Sequence, residues 1–286
     1  MLVIVGIVVV IGATLGGFSI AGGAIPSLFH VSEIITILGI AIGTVLISTP
    51  SVVMKMTGKK IGGLFGKNPY DKQYYLDALK MLYEFFQVAR KDGLVAVEQH
   101  VEEPYKSALF AKYPQVIANH HAVDFFCDSM RLVVAGSVPP HDLDTLMDDE
   151  IDVHHHADQR PVDVIVATSD GLPGIGIVAA VLGVVVTMSK ISGPVEEIGE
   201  SVAAALTGTL LGILIAYGFL GPMSKGVTAA NENETRLFHF YKAGILASAK
   251  GLPPIIAVEF ARRALLPEVR PSFQEMEAAC TGKARE

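Results

Sequence analysis

Three absences shape this sequence of 286 residues: it has few cysteines, it has no excess of basic charge, and no charged residue stands near the middle of its long apolar runs. Cys127 and Cys280 are the only cysteines, far apart, so neither a disulfide framework nor a thiolate metal site is suggested and two free thiols are expected. With 22 Lys and Arg against 29 Asp and Glu, the net charge of −7 leaves no basic footprint for neutralising phosphates. Nucleic acid is excluded as a partner on that ground. Catalytic signatures are also missing: there is no Walker A loop, no GxSxG elbow and no HExxH. Gly174-Ile175-Gly176 follows no strand pattern and is not a dinucleotide fingerprint. No enzyme, no cofactor and no metal site is expected.

What the chain has instead is apolar surface. It is 51% hydrophobic and only 18% charged, with a mean hydropathy of +0.46, too apolar for an ordinary soluble domain. Crossing about 30 Å of hydrocarbon takes roughly 20 helical residues, and four stretches meet that length: 1–22, 34–54, 171–189 and 201–221. The first lacks a basic leading segment, so it reads as a retained span rather than a cleaved signal. Lys55, Lys59, Lys60, Lys67 and Lys72 follow the second span, whereas the 24–32 connection has no Lys or Arg and the third connection has only Lys190. By the positive-inside rule both termini and the long middle segment are expected in the cytoplasm. The expected organisation is a pair of spans (1–54), a cytoplasmic helical domain (55–168), a second pair of spans (169–221) and cytoplasmic helices with a tail (222–286).

Helices in lipid associate through close backbone approach, and each span offers small residues four apart: Gly12/Gly16, Gly39/Gly43, Ala179/Gly183 and Gly208/Gly212. The pairs suit packing within the chain and assembly of subunits equally. An ion carrier usually keeps an ionisable side chain inside the membrane. Here Glu33, Asp170, Lys190 and Glu200 all stand at span ends, so another polypeptide is expected to supply an ion-binding carboxylate. Thr207 and Thr209 are the polar candidates in the fourth span. Two residues apart, they point to different faces, and either hydroxyl can simply bond the preceding turn.

From 55 to 168 charged residues return and apolar ones recur at helical spacing. Leu76, Leu79, Leu82, Tyr83 and Phe86 form one stripe that Gly93 closes, with Arg90 and Lys91 in the last turn, where a cation complements the helix dipole. A short helix over 94–101 carries Glu98 and stops before Pro104; taken alone, Glu98 is a solvated charge. Further helices are read over 118–134 and 140–157. His154, His155 and His156 fan out by about 100° each on a helix, so they read as a polar helix end rather than a metal site. Ser169-Asp170 reads as an N-cap pair and Pro173 as the start of the third span. Pro222 stands where the fourth span leaves the membrane and continues as a helix to about 249. Gly251 and Pro253-Pro254 precede a short helix over 255–266, and the polar tail from Pro267 is expected to fray.

Four stretches carry a resemblance to a known family. Asp170-Gly-Leu-Pro-Gly-Ile-Gly-Ile-Val-Ala-Ala-Val-Leu-Gly183, Gly208-Thr-Leu-Leu-Gly-Ile-Leu-Ile-Ala-Tyr-Gly-Phe219, Pro254-Ile-Ile-Ala-Val-Glu-Phe260 and Arg270-Pro-Ser-Phe273 resemble the MotA family in order and spacing over nearly the whole chain. The resemblance implies an all-α, four-span subunit of the bacterial inner membrane that acts as a flagellar motor stator. In that family five such subunits surround two MotB chains, whose membrane aspartate binds the ion, and ion flow becomes torque on the rotor protein FliG. It further implies that Arg90 and Glu98 form the charged pair engaging FliG, that Pro173 and Pro222 couple ion passage to movement, and that Thr209 lines the ion path. Ala180 stands where sodium-driven relatives carry threonine, which points to protons. An ExbB/TolQ-like energiser of outer-membrane processes is the alternative; that family has three spans and an external N-terminus.

Overall fold

The computed structural model describes residues 2–282; Met1 of the expected first span and residues 283–286 of the expected tail lie outside the described residues. Among the described residues every regular element is helical. Four helical segments are long and apolar enough to cross a bilayer: Leu2–Ile20, Ile25–Ser48, Pro140–Ser189 and Val195–Ala249.

Helix α1 (Leu2–Ile20) is followed, after a 3-10 turn at Ile25–Leu28, by α2 (Val31–Ser48). The sequence pattern carried the second span to 54, but α2 stops at Ser48. Pro50 forces its predecessor out of helical geometry, and Thr49 is extended at φ −118° and ψ 123°. Ser51–Gly63 is a separate helix, α3. Next come α4 (Lys72–Asp92), α5 (Val95–Glu102), the single turn α6 (Pro114–Ile117) and α7 (His120–Ala135). Side chains satisfy free N–H groups at two starts: Asp71 accepts from the Tyr74 N–H at 2.8 Å, and Asn119 from the Ala122 N–H at 3.1 Å. Gly93 (φ 87°) closes α4 and Gly136 (φ 64°) closes α7, both in the left-handed region that favours glycine.

Helix α8 (Pro140–Ser189) runs unbroken through Pro161 and Pro173. The expected helix over 140–157 and the third span are therefore one element, and Pro173 starts nothing. Neither is Ser169 an N-cap: its hydroxyl donates to the Ala216 carbonyl at 3.0 Å. The fourth span is α9 (Val195–Ile213), which passes through a π-helical stretch at Leu214–Leu220 into α10 (Gly221–Ala249). Helix α11 (Pro254–Arg263) follows Gly251 and Pro253. The expected fraying tail is instead ordered as α12 (Phe273–Thr281), where Ser272 and Glu275 form a reciprocal capping box and Met276 is fully buried.

Contacts divide the chain into two units. One takes the chain up to Lys67 together with Asp158–Ala230; the other takes Asn68–Ala157 and Asn231–Glu286. The span unit has small apolar clusters, around Ile37, Ala41, Leu172, Ala179 and Ala216 and around Val162, Ile165 and Val227. The second unit has one large core rich in rings, with Tyr74, Tyr75, Phe85, Phe86, Phe110, Phe126, Phe240 and Tyr241 all at 2% exposure or less. Phe85 sits at its centre, stacked on Phe110 and edge-on to Phe126 at centroid distances of 5.9 and 5.1 Å.

Candidate functional site

Close backbone approach builds the crossing of α8 and α9. A methyl group added at Gly212 would stand 2.7 Å from the Leu172 carbonyl oxygen and 3.0 Å from the Gly176 Cα. One added at Gly176 would meet the Gly208 carbonyl oxygen at 3.1 Å and the Thr209 Cα at 3.3 Å, and one at Gly183 would meet Ala205 Cβ at 2.8 Å. Ala179/Gly183 and Gly208/Gly212 thus serve packing within the chain. A methyl group added at Gly12, Gly16, Gly39 or Gly43 would meet nothing within 4 Å beyond its own stretch of helix backbone, so that pair of helices keeps its small residues open. The sequence offered both uses for all four pairs, and the structure shows the first use for two of them.

The two candidate hydroxyls separate as well. Thr207 is buried and its Oγ1 donates to the Ala203 carbonyl at 2.9 Å, the local use open to any helical threonine. Thr209 is half-buried, and its hydroxyl has no hydrogen-bond partner among the described residues. Ala180, also half-buried, follows Ala179, whose Cβ lies 3.3 Å from where a Gly208 Cβ would stand. Thr209 and Ala180 therefore flank one helix crossing.

Pro173 is half-buried inside α8 and Pro222 is exposed one residue into α10. Pro222 lacks an N–H, and the ladder ahead of it widens: the Gly221 N–H reaches back five residues to the Ala216 carbonyl. That carbonyl also receives the Ser169 hydroxyl. Ser169 and the π-helical stretch were missed by sequence reasoning; glycines at 218 and 221 ahead of a proline were the available signal.

Arg90 occupies the last turn of α4 and Glu98 the first turn of α5, and Gly93 makes the turn between these two packed helices. Both side chains are exposed and neither has an ion-pair partner among the described residues. Their neighbours differ. Glu84 is held by Lys112 at 2.7 Å and by the Tyr113 hydroxyl at 2.9 Å, and Arg131 by Glu102 at 3.0 Å. Arg90 lines a surface groove with Tyr83, Gln87, Lys91, Pro254 and Ile255, in which Glu98 takes no part.

The histidine run lies inside α8, so it is not a helix end. The His154 ring packs edge-on against Phe238 at 4.6 Å and its Nε2 lies 3.9 Å from Glu234 Oε1; His155 Nδ1 is 3.3 Å from Thr235 Oγ1, and His156 is exposed. Burial pushes the Cys127 and Cys280 thiols up to about 12, which disfavours the thiolate form of both near neutral pH.

The sequence expectation that charge stays at span ends holds for chain position but not for burial. Glu33, in the first turn of α2, is 6% exposed, and its carboxylate abuts Gly208 well inside the fourth span.

Comparison with known proteins agrees with this architecture. Residues 4–93 match the family model for the motility protein A N-terminal region, and residues 117–239 match that of the MotA/TolQ/ExbB proton channel family. Motility protein A of Salmonella typhimurium is 36% identical over 277 residues, covering 97% of this chain and 94% of the relative; that of Escherichia coli is 35% identical with the same coverage. The chain belongs to the motility protein A family. The fold of Campylobacter jejuni MotAB is similar, with a TM-score of 0.77 over 94% of this chain and 98% of that one at 19% identity. That of the Bacillus subtilis flagellar MotAB stator complex gives 0.73 at 22% identity, covering 92% and 94%. The N-terminal match takes in α1 and α2, which the ExbB/TolQ alternative does not explain. The chain is thus a multi-pass membrane protein of the stator family with four helices able to span and a large helical unit.

Proposed function

We propose that this stator subunit works with a MotB partner in the inner membrane to pass protons and turn their flow into torque on FliG. The observation that carries the reading is similarity to motility protein A along 97% of the chain, which includes both pairs of spans and the segment bearing Arg90 and Glu98. Both termini and the ring-cored unit lie in the cytoplasm in this reading, supported by the lysines after α2. Five copies surround two MotB chains, and the open Gly12/Gly16 and Gly39/Gly43 faces are available for that assembly.

The partner's aspartate takes the ion, and Thr209 and Ala180 line its path; the unsatisfied Thr209 hydroxyl and the methyl of Ala180 suit a proton better than a sodium ion, which needs several oxygen ligands. Ion binding shifts the crossing of α8 and α9. Pro173 and Pro222 are the bending points, and the widened turn before Pro222 is where the helix yields most easily. Arg90 and Glu98 then press on charged groups of the rotor. Exposed pairs worth about 0–1 kcal/mol, acting over a Debye length of about 8 Å, suit a contact made and released at each step.

The test is proton uptake by vesicles holding this chain alone or with MotB. Flux only with MotB, lost when its membrane aspartate becomes asparagine, is the expected result. Flux through the chain alone overturns the assignment of the ion-binding carboxylate to the partner.

A further inference from the structure

One carboxylate in the span unit is used by nothing described so far. Glu33 is 6% exposed, and its Oε2 is buried without a hydrogen-bond partner. It lies where a Cβ on Gly208 would come within 2.8 Å, with Ala179 Cβ 3.3 Å from the same point. A side chain at 208 would push that oxygen from its present place.

A structural explanation for an acid at this position is helix capping. Glu33 is in the first turn of α2, where a negative charge complements the helix dipole and a third-position glutamate can accept the N-cap N–H. That bond is not made: the N-cap, His30, has no side-chain capping partner, and the Glu33 oxygen turns toward α9 instead. Burying a carboxylate oxygen without a donor is costly in an apolar interior, and an ionisable group kept there at that cost usually has a transport role.

The surroundings select the occupant. Two of the residues beside the carboxylate are Gly208 and Ala179, which neither titrate nor offer a side-chain oxygen. The titratable neighbour on its own chain segment is His30, whose Nδ1 is likewise buried and unpartnered. A metal cation needs several oxygen ligands, and the side chains at 208 and 179 offer none. A proton needs one lone pair.

We propose that Glu33 is a proton-binding carboxyl group of this chain's own, which takes up one proton at Oε2 and releases the same proton toward the path beside Thr209 and Ala180. The proposal rests on the ion-path reading above, because Gly208 and Ala179 are the sequence neighbours of those two residues. Gly208 acts as a positioning residue, keeping the slot open.

The experiment uses the full-length complex with MotB in proteoliposomes, with proton uptake followed by a pH-sensitive dye and assembly checked by size-exclusion chromatography. Glu33→Gln, nearly the same size, should assemble normally and lower flux by about a hundredfold or more, the low end of what a positioned proton-transfer group contributes. Glu33→Asp should retain part of the flux, and Gly208→Ala, which puts a methyl where the carboxylate sits, should lower it. Infrared difference spectra on changing pH should show a carboxyl band that Glu33→Gln removes. Thr209→Leu separates the two readings. If wild type conducts and Thr209→Leu does not, but Glu33→Gln conducts like wild type or leaves the spectrum unchanged, the Glu33 proposal falls and the path stands. If Thr209→Leu conducts fully, the path reading itself is lost. Should Glu33→Gln fail to assemble, Glu33→Asp and Gly208→Ala carry the test per assembled complex, and wild-type flux in both overturns the proposal.

Discussion

The two units solve the same problem, packing helices, with opposite materials. In the ring-cored unit large side chains fill the space between helices, and Tyr74, Phe85, Phe126 and Tyr241 leave water almost completely. In the span unit the crossing of α8 and α9 is built from groups too small to fill anything: Gly176, Gly183, Gly208 and Gly212 against backbone, with Ala179 and Ala205. The difference follows from the solvent. Burying a ring gains its hydrophobic free energy only if the alternative is water, whereas in lipid a helix gains from close van der Waals contact and from hydrogen bonds. The same contrast explains the outer faces. No residue of α1 is buried, and Leu2 and Ile20 stand 87% and 90% exposed, a surface that lipid and neighbouring subunits tolerate and water does not.

If this comparison is right, the most damaging change is one that forces bulk between backbones. Gly212→Leu sets side-chain atoms against the Leu172 carbonyl and the Gly176 Cα, and backbone cannot rotate away as a side-chain tip can. Swimming should be abolished and the complex should fail to assemble in detergent. Normal assembly would show that the α8/α9 crossing is loose.

The matching change in the other unit removes bulk. Phe85→Ala leaves a cavity among Phe86, Phe110 and Phe126 and should cost about 3–5 kcal/mol. Thermal unfolding of the purified complex should begin well below wild type, with the spans still inserted. A shift within experimental scatter would mean that this core is not tightly packed.

Changes that touch function alone should spare both kinds of packing. Arg90→Glu reverses an exposed, unpaired charge, so swimming should fall severely with no change in unfolding temperature. A compensating charge reversal on FliG should restore part of it. Unchanged swimming, with motor localisation confirmed by fluorescence, returns Arg90 to a helix-end charge. Thr209→Leu should block motility while leaving membrane insertion intact, since it adds volume at a half-buried position without adding charge. Wild-type swimming in that strain would remove Thr209 from the path.

How far the fold could be read from sequence also divides between the units. A stripe of large residues identifies α4 because a water-facing helix must alternate its faces, and Leu79, Leu82 and Phe86 are buried as that pattern requires. Span number is legible because lipid demands long apolar runs. Span limits are less so. The apolar run carries the second span through Pro50, where the helix in fact breaks, whereas Pro173 reads as a helix start and the helix continues, since neighbouring spans hold its backbone in place. The widened turn at Leu214–Leu220 has no periodic signature. α12 reads as a fraying tail in the sequence because its cap, Ser272-x-x-Glu275, precedes a short polar segment whose single deep anchor is Met276. At the candidate site, residue pattern alone left Thr207 and Thr209 equal and only the family resemblance singled out Thr209, because pattern does not show that the Thr207 hydroxyl bonds the Ala203 carbonyl. Glu33 reads as a span-end charge in the sequence, since position along the chain does not give side-chain depth.

The smallest expected effect tests whether the ring-cored unit resists charge as its packing implies. His239, half-buried on α10, has its pKa lowered, first by burial and then by Arg236 and Lys242, with Asp148 and Asp152 opposing. A histidine harder to protonate when folded gives the unfolded chain more bound protons just below the ordinary histidine range. Above that range neither state is charged and the group contributes nothing. As pH falls through about 6.5 the unfolded state protonates first and stability declines, until the folded-state value is passed and the loss levels off. The group is only half-buried, so water screens most of the effect. The unfolding temperature should drop between pH 7.5 and 5.5 slightly more in wild type than in His239→Gln, by under about 2 °C. Because the other histidines titrate in both proteins, the difference between the two slopes isolates His239. A steeper slope in His239→Gln than in wild type would reverse the sign and show that Asp148 and Asp152 govern this position rather than burial.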